Sequence, residues 1–122
     1  MKNHIEMRLA GGATLSDIKA DVMQTAINAA LVACYGNQTK ASELLEINRW
    51  TMRKWLNDAS NRTYKVFDRV YLRVGTSTAK EMLTEAYMEA VSQVMQTNNN
   101  VTLAAEILNC QRSTVRKYMV KP

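Results

Sequence analysis

The sequence predicts a mainly α fold made of two tandem three-helix units. Three observations carry this. One proline and four glycines in 122 residues leave little turn chemistry for a sandwich or barrel. Two threonines, Thr14 in "TLSD" and Thr78 in "TAKE", each stand three residues before an acid and open a long stretch of helical apolar spacing. And a stretch near the middle recurs near the C-terminus, sixty-three positions on.

The elements follow in chain order. "IEMRLAGG" and, later, "VYLRVGTS" each alternate apolar and polar residues before small, turn-prone ones, which reads as a short strand. The second also reads as helix through Tyr64–Val74. The strand reading gives a two-stranded ribbon, about residues 4–9 and 69–74, that joins the units. From Thr14 a helix is predicted over Ser16–Cys34, with Ile18, Val22, Ile27, Leu31 and Cys34 on its core face. Gly36 suits its C-cap. A short helix, Lys40–Leu45, follows with Thr39 as N-cap, and "EIN" turns the chain into a helix over Arg49–Leu56 capped by Asn48. "NDASNR", Asn57–Arg62, is a polar connector. The second unit repeats the plan, with a long helix over Ala79–Gln96 whose core face is Met82, Ala86, Ala90, Val91 and Val94. The units divide as residues 1–60 and 61–122, packed as one pseudo-symmetric domain.

The repeat is gapless. Asn37–Trp55 falls on Asn100–Tyr118 with nine identities in nineteen positions: Asn37/Asn100, Thr39/Thr102, Ala41/Ala104, Glu43/Glu106, Leu45/Leu108, Arg49/Arg112, Thr51/Thr114, Arg53/Arg116 and Lys54/Lys117. Two unrelated amphipathic helices would agree at apolar positions; here polar and basic positions agree too. In the last helix of each copy the apolar stripe is Met52, Trp55 and Leu56, or Val115, Tyr118 and Met119. The basic residues lie mostly away from it.

Charge follows the repeat. The chain carries +5 overall. Residues 36–56 hold four basic and two acidic side chains, and residues 98–122 four basic and one acidic, giving +2 and +3. A basic surface of this kind fits an anionic partner, most often nucleic acid. Arg62, Lys65, Arg69 and Arg73 form either a further phosphate-facing strip or a solvated surface. Trp50 is either a packing residue or a groove or partner contact, while Trp55 and Tyr118 belong to the core.

Other classes have less support. Asp17, Asp21, Glu81, Glu85 and Glu89 read as solvated helix residues, and no pair among them suggests acid–base catalysis, so no enzyme is expected. His4, the single histidine, reads as a surface residue of a loose N-terminus, with no ligand cluster around it; neither metal nor cofactor is expected. Cys34 and Cys110 read as small buried hydrophobes of a chain without a secretory leader, and no apolar run is long enough for a membrane. The expected location is the bacterial cytoplasm or nucleoid.

"GNQTKASELLEINRWTMRKWL" resembles the C-terminal helix-turn-helix of the Fis-type DNA-binding family, with a pattern near GNQT-x-A-x-x-L-x-INR-x-T-[LM]-RKKL. "LNCQRSTVRKYM" also resembles the NinH group of small phage proteins, itself Fis-like. The likeness covers about twenty residues of each copy. It implies a sequence-selective double-stranded DNA-binding protein of phage or bacterial origin, a transcription regulator or architectural factor, with recognition helices in major grooves. It implies base contacts by Asn48, Arg49 and Arg53 and by Gln111, Arg112 and Arg116. It implies phosphate contacts by Asn37, Thr39, Lys40, Thr51 and Lys54 and by Asn100, Thr102, Thr114 and Lys117. Two departures stand out: Trp50 where the family often has glycine, and Gln111 in place of asparagine. Family members reach DNA as symmetric dimers, and a tandem repeat would place the dimer within one chain, its recognition helices about 34 Å apart. Exposed strand edges would favour a homo-oligomer. Competing expectations are a module that binds a protein such as RNA polymerase or other transcription machinery, and a DNA-binding subunit of a recombination or packaging complex.

Overall fold

The computed structural model describes residues 2–58 and 64–119. Among these it is mainly helical: α1 (Lys2–Ala10), α2 (Leu15–Ala33), α3 (Gln38–Leu45), α4 (Arg49–Asp58), α5 (Asp68–Arg73), α6 (Ala79–Asn98), α7 (Val101–Leu108) and α8 (Arg112–Tyr118), with no strand among the described residues.

The two long helices start at the threonines that the sequence marks. The Thr14 N–H donates to Asp17 Oδ2 (2.9 Å) while the Asp17 N–H donates to Thr14 Oγ1 (3.3 Å). Thr78 and Glu81 make the same reciprocal pair, at 3.0 and 3.1 Å. Each box occupies N–H groups that a helix start leaves without partners, and its carboxylate lies at the positive end of the helix dipole. The long helices end alike. Gly36 follows α2 at φ 80° with its N–H on Leu31 O (2.8 Å), and Asn99, sixty-three positions on, follows α6 at φ 43° with its N–H on Met95 O (2.8 Å). Glycine and asparagine are the residues that enter this left-handed region at least cost.

The chain forms two compact units, one of residues 20–83 and one of residues 1–19 with 84–122. In the contiguous unit, Val22, Ala26, Ile27 and Ala30 of α2 are buried, as are Ala41 and Leu45 of α3, Met52 of α4, and Phe67 and Val70 at α5. Phe67 is the largest fully buried side chain, and burial of a ring that size stabilises by about 1.5–3 kcal/mol. Polar groups on α2 hold the extended backbone before α5. The Lys65 N–H donates to Asp21 Oδ1 (2.9 Å) and the Phe67 N–H to Thr25 Oγ1 (3.0 Å). Asn28 Nδ2 donates to the Tyr64 hydroxyl (2.7 Å), and Gln24 Nε2 to the Trp55 carbonyl (2.9 Å). Asp21 is fully buried, so its place is this anchor and not the solvated face expected of it.

In the other unit α6 contributes Ala86, Ala90, Val91 and Val94, all buried as expected from its spacing, and α7 and α8 contribute Ala104, Leu108 and Val115. Gln93 Nε2 of α6 donates to the Lys2 carbonyl of α1 (3.1 Å). Tyr87 and Tyr118 meet edge to face, ring centroids 5.1 Å apart. The leading segments are thus exchanged. α1 precedes the first copy of the repeat and belongs with the second; α5 precedes the second and belongs with the first.

Both expected strands are corrected: residues 4–9 lie within α1, and 69–73 within α5. A strand would put Ile5, Met7 and Leu9 on one face. In α1 Ile5 is buried and Met7 is exposed. The same split separates buried Val70 from exposed Leu72. Over five residues an alternating pattern fits either structure, and a helix satisfies its own backbone groups where a lone two-stranded ribbon is marginal. His4 accordingly sits half-buried in a helix and not in a loose terminus. The reading of Tyr64–Val74 as continuous helix is also corrected, since 64–67 is extended and α5 starts at Asp68. Of the connector Asn57–Arg62, the first two residues close α4 and the rest, Arg62 included, lie outside the described residues.

Candidate nucleic-acid interface

Each copy of the repeat folds as two short helices around a tight turn: α3 and α4 in the contiguous unit, α7 and α8 in the other. Asparagine starts the first helix of each pair. Asn37 Oδ1 accepts the Lys40 N–H (3.0 Å), and Asn100 Oδ1 accepts those of Thr102 (2.9 Å) and Leu103 (3.2 Å). The cap is therefore Asn37 and not Thr39, which lies inside α3 with its carbonyl accepting the Ser42 hydroxyl (2.8 Å). Asparagine's short amide reaches the second and third N–H of the helix it precedes.

The turns match as well. Glu46 (φ 56°) and Asn109 (φ 53°) are left-handed at equivalent positions. One residue on, the Ile47 N–H reaches Ser42 O (3.0 Å) and the Cys110 N–H reaches Ala105 O (2.9 Å), closing the first helix of each pair in a Schellman motif. Ile47 and Cys110 are half-buried, and burial pushes the Cys110 thiol above its ordinary pKa. Ala41, Ser42, Leu45 and Met52 are buried, and so are their counterparts Ala104, Ala105, Leu108 and Val115. The repeat holds in three dimensions at the positions that set how each second helix docks.

That docking leaves the basic residues outside. Met52 of α4 is buried, while Arg49, Arg53 and Lys54 are exposed. Val115 of α8 is buried, while Arg112, Arg116 and Lys117 are exposed. None of these six forms an ion pair with a described residue. Two rest on aromatic rings: Lys54 Nζ lies 5.6 Å from the centre of the Trp50 ring, and Lys117 Nζ lies 5.3 Å from that of Tyr118. Trp55 and Tyr118 are half-buried. Trp50 is 70% exposed, which removes it from the packing residues.

The residues before the second helices differ. Asn48 Oδ1 accepts the Thr51 N–H (2.7 Å) and so caps α4 as expected. Gln111 precedes α8 with an extended backbone but makes no cap bond; its Oε1 lies 3.5 Å from the Ser113 hydroxyl. Thr102, Glu106, Gln111, Arg112, Ser113 and Arg116 line an open groove of about 640 Å³ beside the turn. Four of these, Thr102, Gln111, Arg112 and Arg116, are candidate DNA contacts. Of the remaining candidates, Asn37, Thr39, Lys40 and Asn100 are exposed near the starts of α3 and α7, and Thr51 and Thr114 are half-buried. Of the second basic strip, Lys65 and Arg69 are exposed, whereas Arg73 turns its Nε and Nη2 onto Ser77 Oγ (3.2 and 2.9 Å) and ties the α5–α6 turn.

No family model, curated protein or solved structure matches the chain. No helix among the described residues is long and apolar enough to cross a membrane.

Proposed function

We propose that the chain is a sequence-selective double-stranded DNA-binding protein, a transcription regulator or DNA-architectural factor, in which α3–α4 and α7–α8 act as two Fis-like helix-turn-helix elements. One observation carries the reading. Two helices at repeat-equivalent positions each turn one apolar residue inward, Met52 or Val115, and hold two arginines and a lysine outward. Solubility alone does not require that polar pattern twice.

In this reading the starts of α4 and α8 enter major grooves. Arg49 and Arg112 offer guanidinium forks to guanine O6 and N7, with Arg53 and Arg116 one turn further along the same faces. Gln111 brings both halves of its amide to an adenine edge. Asn48 has its carbonyl oxygen on the Thr51 N–H and offers chiefly its amide hydrogens. Lys54, Lys117 and the exposed side chains that open α3 and α7 take phosphates and supply the salt-dependent part of the affinity.

Duplex titration at several salt concentrations tests the proposal. Arg49→Ala and Arg112→Ala should each cost about 1–3 kcal/mol of binding and relax sequence preference, while Lys54→Ala weakens all sequences and lowers the salt slope by about one. Absence of duplex binding at low salt ends this reading. A second reading, a module that binds a protein such as polymerase, draws on Leu103 and Ile107, exposed one turn apart on α7. A partner retained through nuclease treatment and lost in Ile107→Lys would favour it.

A further inference from the structure

On the DNA-binding reading, the two recognition helices are not equivalent, and the difference is centred on one residue. An α-helix turns about 100° per residue, so Trp50 lies roughly 200° around α4 from buried Met52. It stands at the crest of the outward face, with Arg49 and Arg53 to one side and Lys54 to the other. The equivalent crest of α8 is Ser113, small and exposed. An indole presents a large, rigid apolar surface, and 70% of Trp50 is open to water amid basic neighbours. The Lys54 ammonium, 5.6 Å from the ring centre, orients the pair.

We propose that Trp50 is a specificity-determining contact, reading the 5-methyl group of thymine in the groove that α4 enters. The cations around it suit a polyanion, so the partner that covers this ring carries phosphates. Among base edges in the major groove, the thymine methyl is the apolar feature that an indole face can cover. Hydrogen-bond donors and acceptors fill the rest of those edges, and Arg49 and Arg53 already suit the acceptors. α8, with Ser113 at its crest and the Gln111 amide free of cap duty, reads polar edges instead.

The test uses the full chain and the duplex it binds best from a random pool, beside the same duplex with deoxyuridine for every thymine. The wild type should lose about fourfold in affinity on this exchange, the size expected for one methyl group withdrawn from an apolar contact. Trp50→Ser, which copies the second unit, should bind both duplexes equally, while Trp50→Phe keeps at least a twofold preference. The salt slope should be the same in all three, since no phosphate contact changes. A thymine preference in Trp50→Ser equal to that of the wild type, or no preference in a wild type that binds tightly, overturns the assignment and leaves DNA binding intact. Failure of every variant to bind any duplex overturns the DNA reading itself.

Discussion

Replacing Thr25 by valine isolates one bond that ties the segment before α5 to α2. The Thr25 hydroxyl accepts the Phe67 N–H at 3.0 Å, and both residues are buried. Valine keeps the branched shape and puts a methyl where the acceptor was. The Phe67 N–H is then left without a partner in a place that water does not reach. A buried donor stranded in this way costs about 1–3 kcal/mol. For a chain of this size, a loss of 1 kcal/mol lowers the melting midpoint by roughly 4 °C, so a fall of about 4–12 °C is expected. Thermal unfolding followed by circular dichroism gives the midpoint, and amide hydrogen exchange at Phe67 reports the bond itself. Thr25→Ser is the control, because it gives up a methyl but keeps the hydroxyl and with it the protection of that amide. If Thr25→Val melts within a degree of wild type and Phe67 exchanges no faster, the hydroxyl is not the tether and the anchoring of α5 has another cause.

Other outcomes follow from the caps, turns and buried hydroxyl groups. Asn37→Ala and Asn100→Ala should each lose about 1 kcal/mol of stability, with Asn100→Ala losing more because its amide serves two N–H groups. A variant that lowers the salt slope of DNA binding without lowering the melting midpoint would make the residue a phosphate contact and not a cap. Glu46→Asn, which copies Asn109, should raise the midpoint by a few degrees by relieving a left-handed glutamate, worth about 0.5–1 kcal/mol; an unchanged or lower midpoint contradicts that. Burial, then Tyr118 and then Cys110, push the Tyr87 hydroxyl up to about 12 from 10.0. Its folded-state pKa is raised, so the folded chain holds this proton where the unfolded chain has released it. The contribution to stability is complete below pH 10 and is lost as pH rises from 10 to 12. Tyr87→Phe should flatten the decline of the midpoint across that window, and an equal decline in both proteins would remove Tyr87 as its source.

What could be read from sequence was local. Thr14 with Asp17, and Thr78 with Glu81, announce helix starts because a threonine hydroxyl and an acid three residues later need only each other's backbone. The faces of α6 and α8 were legible for the same reason, since 3.6-residue spacing is set within the helix. Asp21 was not. Its partner is the Lys65 N–H, forty-four residues away, and nothing near Asp21 in the chain distinguishes it from a solvated acid. The segments at α1 and α5 misled because five alternating residues carry no period of their own, and their environment decided the outcome. At the candidate interface the basic positions stood out because they recur, and Trp50 because a large ring stands where the resembled pattern often has glycine. The capping role of Asn37 was hidden by Thr39, an equally good capping residue two positions on.

The exchange of α1 and α5 also orders events during synthesis. Residues 20–83 are contiguous, so the whole of that unit has been synthesised once Leu83 has. α1 is made first but belongs with the last third of the chain. The Lys2 carbonyl has its partner only after Gln93 has emerged. Domains that fold as they emerge normally finish from the N-terminus onward. Here the contiguous unit has all of its residues before the unit that includes α1 does.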